Sequence, residues 1–126
     1  MAMDIKLKRT GSIYIIDVYG EMDLYHAFRL KEVVNKMIRR EIRDYIINLE
    51  GVDYIDSSGI GALLYVHSEL KKRKMNLRIT AVKGSVKRVI ELTKLLNYFA
   101  ILPRVSDAVQ DLRNSGRPAA GGGDDR

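Results

Sequence analysis

The groups able to do chemistry concentrate in one stretch, Glu50-Gly51-Val52-Asp53-Tyr54-Ile55-Asp56-Ser57-Ser58-Gly59-Ile60-Gly61, with a second acidic run at Gly20-Glu21-Met22-Asp23. A serine in such a setting can serve as nucleophile, phosphoacceptor or helix cap. A nucleophile needs a hydrogen-bonded base and donors for the developing oxyanion. Histidine occurs only at His26 and His67. His67 falls about three turns along the helix that starts near Ser57, roughly 15 Å away at 1.5 Å per residue, and cannot act as its base. His26 starts the first helix and could approach, but no G-x-S-x-G elbow surrounds Ser57. The chain is therefore not expected to be an enzyme. As a cap, the Ser57 hydroxyl would accept from a backbone N–H two or three residues on. A cap hydroxyl is local and partly exposed, so capping and accepting phosphate are compatible. Asp23, Asp53 and Asp56 could hold Mg²⁺ through carboxylate oxygens and waters, or serve as turn and cap residues. Asp53 suits the second description; Asp23 and Asp56 suit a shaping or partner-binding role. No metal or cofactor is expected.

Hydrophobic periodicity supplies the elements that position these groups. Residues 4–9 alternate, and Thr10-Gly11 marks a turn. Residues 12–19 are apolar on both faces, as in a strand covered on both sides, and Gly20 ends it. A first helix is predicted over 25–40, with Leu30, Val33, Val34, Met37 and Ile38 on its buried stripe. A strand over 44–49 and a helix over 57–74 follow, then a strand over 76–82. A helix over 85–96 carries Val86, Val89, Ile90, Thr93 and Leu96 inward. Residues 99–102 form a last edge strand. Ser106 caps a closing helix with Val109 and Leu112 inward. His67 is expected on the stripe of the second helix with Ile60, Leu63 and Leu64. Gly59 and Gly61 each cost up to about 1 kcal/mol in a helix. Two in the first turns imply that a neighbouring strand or a partner approaches this backbone closely. The order ββαβαβαβα implies an α/β domain with a mostly parallel sheet opened by an N-terminal hairpin, crossover helices and a C-terminal helix. Partners of such sheets gather at the carboxyl edge of the strands. The loops 20–26, 50–58 and 82–85 should meet there.

In this strand–helix context Asp56-Ser57-Ser58-Gly59-Ile60-Gly61, preceded by an apolar strand ending in Asn-Leu, resembles the signature of STAS domains, the family of sulphate-transporter and anti-sigma-factor-antagonist domains. The resemblance covers residues 4–110 and includes Gly20-Glu21-Met22-Asp23 and Val86-Lys87-Arg88-Val89-Ile90-Glu91-Leu92-Thr93. It implies a single STAS-type domain whose partner is an anti-sigma factor that is itself a serine kinase. The unphosphorylated form binds that partner and frees a sigma factor, phosphorylation of Ser57 abolishes binding, and a serine phosphatase resets the switch. An alternative is a STAS scaffold that binds partners in a larger signalling assembly without being phosphorylated. The partner-binding residues implied are Asp23, Asp56, Ser57, Ser58, Gly59 and Ile60; from its spacing alone Ile60 should also point into the core. One departure is the bulky Leu24-Tyr25-His26 after Asp23, where many relatives carry a hydroxyl or small polar residue.

Two other classes fail on their residues. A receiver domain needs a lysine after a late strand, where this chain has Leu102-Pro103. A dinucleotide or phosphate-loop site needs a G-x-G-x-x-G or a loop lysine after a strand, and Gly59-Ile60-Gly61 is too little.

With 126 residues, 46% apolar and 30% charged, the chain has the size and balance of one ordinary globular domain. Residues 1–112 should fold as the domain. The segment 113–126, RNSGRPAAGGGDDR, has no large apolar residue and is expected to be a disordered tail. Cysteine is absent, which removes disulfides and thiolate metal sites. No apolar run nears the roughly 20 residues needed to span a bilayer, and MAMDIKLKRTG lacks the core of a signal peptide. A cytoplasmic protein, monomeric when free and not membrane-bound, is expected. The net charge of +6 is spread over predicted helices, with its densest run, Lys71-Lys72-Arg73-Lys74, at a helix end where cations complement the helix dipole. Without a basic stripe interleaved with aromatics, direct nucleic-acid binding is not expected.

Overall fold

The computed structural model describes residues 2–115. Five strands lie in sequence order, β1 (Met3–Thr10), β2 (Ile13–Met22), β3 (Asp44–Ile55), β4 (Asn76–Thr80) and β5 (Ile101–Leu102). β1 and β2 form an antiparallel hairpin, and every later pairing is parallel. The helices are α1 (Phe28–Arg39), α2 (Ser57–Lys72), α3 (Gly84–Leu92) and α4 (Val105–Ser115). This is the α/β architecture predicted from the periodicity.

The crossover helices α1, α2 and α3 bury Leu30, Val34, Leu63, Val66 and Ile90 in one core with Ile16, Ile47 and Ile79 of the sheet. α4 closes the opposite face through Ala108 and Leu112, which pack on Ile13, Ile15 and Ile46. Further along that face a polar row crosses the sheet. Lys8 Nζ is 3.0 Å from Asp17 Oδ2, Asn48 Nδ2 donates to Asp17 Oδ1 at 2.8 Å, and Thr80 Oγ1 donates to Asn48 Oδ1 at 3.1 Å.

Several boundaries differ from the sequence-based expectation. β2 does not end at Gly20, nor β3 at Leu49. Past a register shift after Asp17/Asn48 the ladder continues through Gly20↔Val52 to Met22↔Ile55. Gly20, read as the strand end, is instead paired within the sheet, with Met3 on one side and Val52 on the other; it has φ +89, and a Cβ there would stand 2.2 Å from the Ala2 carbonyl oxygen. The loops expected at 20–26 and 50–58 therefore shrink. α1 begins at Phe28, not at residue 25, because residues 23–27 form a turn in which the Asp23 carbonyl accepts from the His26 and Ala27 amides. α3 stops at Leu92, short of 96, and Thr93 turns its hydroxyl back to the Ile90 carbonyl. β5 is confined to two residues. Ser106 lies inside α4 rather than capping it. That helix reaches Ser115, three residues beyond the expected domain end at 112, and Arg113 is tied to Thr10. The rest of the expected disordered tail, 116–126, lies outside the described residues.

Candidate functional site

Extension of β2 and β3 to Met22 and Ile55 sets two chain segments side by side at the carboxyl edge. The Asp56 amide donates to the Met22 carbonyl at 3.3 Å, so Asp23 and Asp56 leave adjacent strand ends. Asp56 is extended (φ −120, ψ −168) and its carboxylate Oδ1 accepts from the amides of Ser58 at 2.8 Å and Gly59 at 3.3 Å. Asp56, not Ser57, is thus the cap of α2, which corrects the expectation for Ser57. An aspartate caps as well as a serine does and adds negative charge at the positive end of the helix dipole. Ser57 becomes the first helical residue, and its side chain is exposed. Ser58 is half-buried on the same turn.

The two glycines of α2 have different reasons. A Cβ on Gly59 would meet the Met22 carbonyl oxygen at 2.4 Å and Ile55 Cγ1 at 2.5 Å, so the close approach is made by the neighbouring strand ends. Around Gly61 nothing lies within 4 Å, and no close approach explains it. Ile60 is 5% exposed and points into the core, as its spacing predicts. Gly59 and Ile60 are both buried in the first turn of α2, beneath the exposed Ser57.

Asp23 folds its own loop. Its Oδ1 accepts from the Tyr25 amide at 3.0 Å, the His26 amide at 3.1 Å and His26 Nδ1 at 2.7 Å. Partial burial works against its charge, but the hydrogen bonds from His26 and from the Tyr25 amide outweigh that effect and hold the carboxyl below its ordinary range. Asp53 lies in β3 but is skipped by its pairing with β2, between Val52 and Tyr54; it is exposed, and its carbonyl accepts from Ser85 Oγ at 3.4 Å. His67 packs against the rings of Tyr98 at 4.6 Å and Phe99 at 5.7 Å, away from the serines. Burial, and then the charge of Lys71, depress its basicity. Among the described residues no group of three or more His, Cys, Asp or Glu is placed to hold a metal ion, and no helix is long and apolar enough to cross a membrane.

Sequence reasoning missed the apolar character of this edge. Leu24, Tyr25, Phe28 and Tyr54 are 69%, 75%, 52% and 49% exposed. All four belong to the segments that flank Asp23 and lead into Asp56. The bulk of Leu24-Tyr25 was visible in the sequence; Phe28 fell inside the helix predicted over 25–40 and Tyr54 in the loop predicted over 50–58, and neither placement showed that the side chain is exposed.

Residues 4–111 match the family model of the STAS domain. The anti-sigma-B factor antagonist of Staphylococcus aureus (strain NCTC 8325 / PS 47) is 33% identical over 95 residues, spanning 75% of this chain and 88% of that protein. Among solved structures, an anti-sigma factor antagonist from Mycobacterium paratuberculosis superposes with a TM-score of 0.81 at 22% identity, over 89% of this chain and 95% of that one. The Bacillus cell fate determinant SpoIIAA in its phosphorylated form superposes with a TM-score of 0.68 at 19% identity, over 87% and 99%. These two share the fold. The sequence relatives are regulatory binding proteins and not enzymes.

Proposed function

The chain belongs to the STAS domain family, and from that membership we propose that it is an anti-sigma factor antagonist switched by phosphorylation of Ser57. In its unphosphorylated form it binds an anti-sigma factor that is also a serine kinase, and a sigma factor is released. Phosphate on Ser57 ends the binding, and a serine phosphatase restores it. The free protein acts as a cytoplasmic monomer. The observation that carries this reading is the freedom of Ser57: because Asp56 does the capping, the Ser57 hydroxyl stands exposed on the first helical residue, uncommitted to the helix.

The surroundings support the same reading. Leu24, Tyr25, Phe28 and Tyr54 give a partner apolar surface to cover. Burying a side chain of that kind fully contributes about 1.5–3 kcal/mol, so two or three of them can anchor a complex. A phosphate would enter this surface beside Asp23 and Asp56 as a dianion that the partner must desolvate next to like charge. A penalty of about 4 kcal/mol would lower affinity roughly a thousandfold.

The test is incubation with candidate anti-sigma serine kinases and ATP, followed by mass spectrometry and binding measurements. One phosphate at Ser57, loss of the complex on phosphorylation, and a Ser57→Ala variant that binds but resists the kinase are expected. A phosphoprotein that binds as tightly as the unmodified chain would overturn the switch and leave the scaffold alternative.

A further inference from the structure

The third loop at the carboxyl edge is not used by the switch. It lines a cleft of about 610 Å³ on the far side of β3 from Asp23. One wall is the chain leaving β4, Ala81, Val82 and Lys83, with Lys87 from the first turn of α3. The other is Leu96, Asn97 and Phe99 before β5, then the edge strand itself. Val82, Leu96, Ile101 and Leu102 all reach this space and all are only half-buried, so the protein leaves a contiguous aliphatic surface uncovered here. Such a volume, mostly apolar with a few polar groups at its rim, is the usual make-up of a small-molecule site.

The rim decides which chemistry fits. Lys83 is paired with Glu50, so these two charges offset each other. Lys87 is exposed and has no ion pair among the described residues. The cleft therefore presents one uncompensated ammonium above an aliphatic floor, with the Asn97 amide on the opposite wall. Its floor also contains a conformational outlier: Ala81 is held at φ 62, in the left-handed region that alanine seldom adopts. Strain of that kind persists where the surrounding structure fixes it and gathers at ligand-binding positions.

We propose that this cleft binds a small amphiphilic monoanion, a carboxylate or sulfonate on an aromatic or branched aliphatic body, with its charge at Lys87 and its body on Val82, Leu96 and Leu102. The site is separate from the Ser57 turn and does not depend on the function proposed for it. Naphthalenesulfonate titrated into the ¹⁵N-labelled full chain is the test, with the uncharged naphthalenesulfonamide as comparison. Saturable shifts confined to the amides of Val82, Lys83, Lys87, Leu96 and Leu102 are expected. Lys87→Gln should weaken binding roughly fivefold, in keeping with a partly exposed ion pair, while Lys71→Gln leaves it unchanged. Absence of saturation at millimolar probe, or shifts centred elsewhere, would overturn the site. Equal affinity for the sulfonamide, or a Lys87→Gln variant that binds as the parent does while keeping its spectrum, would overturn the assignment of an anion.

Discussion

The same substitution, glycine to alanine, should have opposite effects two residues apart in α2. In an open helical position it is worth about 1 kcal/mol through helix propensity and the reduced entropy of the unfolded chain. Gly61 is such a position, since a Cβ there meets nothing within 4 Å. Gly61→Ala should raise stability by about 0.5–1 kcal/mol. At Gly59 the added carbon would stand 2.4 Å from the Met22 carbonyl oxygen and 2.9 Å from Met22 Cβ, where ordinary contact needs 3.4–4 Å. The Met22 oxygen cannot retreat freely, because it accepts the Asp56 amide and thereby ties the two strand ends together. Overpacking of this kind costs about 1–3 kcal/mol, more than the propensity gain, and Gly59→Ala should come out about 1–2 kcal/mol less stable. For a domain of this size that difference amounts to several degrees in each direction by thermal unfolding. Function should divide the same way: Gly59→Ala displaces the turn under Ser57 and should slow its phosphorylation, whereas Gly61→Ala should not. If both variants move the melting temperature in one direction, the contact between α2 and the end of β2 is not what keeps Gly59 a glycine.

Phosphorylation of Ser57 should leave melting within a few degrees of the unmodified protein while partner affinity falls by orders of magnitude; a drop of more than ten degrees or so would mean the switch works by unfolding. Ile60→Ala should cost about 2–5 kcal/mol in urea unfolding, because that side chain is almost wholly buried; a cost under about 0.5 kcal/mol would place it on the surface. Tyr45 is fully buried with its hydroxyl unbonded among the described residues, and burial pushes its pKa up to about 12. Tyr45→Phe should therefore be neutral or stabilising by about 1 kcal/mol, and the native fold should weaken as pH rises from about 10 through about 12, a loss absent in the variant. The Asp23 carboxyl, observed by NMR, should titrate below 3.8 and return toward it in His26→Ala. Because that folded-state value is depressed, the 23–27 turn keeps its hydrogen bonds above the ordinary carboxylate range and loses them as pH falls below it; an unchanged Asp23 titration in the variant would remove His26 as the cause.

Periodicity carried the architecture because most apolar positions have one available face. Leu30, Val34 and Met37 on α1, and Ile46 and Ile47 on β3, occupy the core positions their spacing requires. Boundaries were less legible, and the misses share one physical source. Gly20 read as a break, yet it is paired in a ladder that shifts register on either side of it, and only three-dimensional register shows that Gly51 leaves room for the Tyr19 ring. The cap of α2 was misassigned by one residue for a similar reason. Aspartate and serine are near-equal caps, and the choice between Asp56 and Ser57 is made by where the extended β3 ends, at Ile55. The cleft beside α3 had no sequence signal beyond the loop at 82–85, since its lining comes from segments as far apart as Glu50 and Pro103.

The net charge of +6 is a poor guide to the site because the two ends of the sheet differ in sign. Arg39 and Arg40 close α1, and Lys71, Lys72, Arg73 and Lys74 close α2, all at the amino edge of the strands, where the carbonyl ends of both helices favour cations. The carboxyl edge carries Asp23, Asp53 and Asp56 instead. Of the cations near it, Lys83 is held by Glu50, and the Arg29 guanidinium donates to the Met3 carbonyl. Lys83 and Arg29 would have to give up those contacts to reach a phosphate on Ser57, and Lys87 lines the cleft beside α3, so the phosphate has little means of ordering or melting a segment through them. Its gain from the helix dipole, about 0.3–1 kcal/mol, is opposed by the Asp56 carboxylate one residue away, which already occupies the first amides of α2. The dianion is thus left solvated and uncompensated on a surface whose other side chains, Leu24, Tyr25 and Phe28, offer apolar contact. Hydration that must be stripped from that phosphate on docking falls on the complex and not on the fold, which is why the switch should act through affinity.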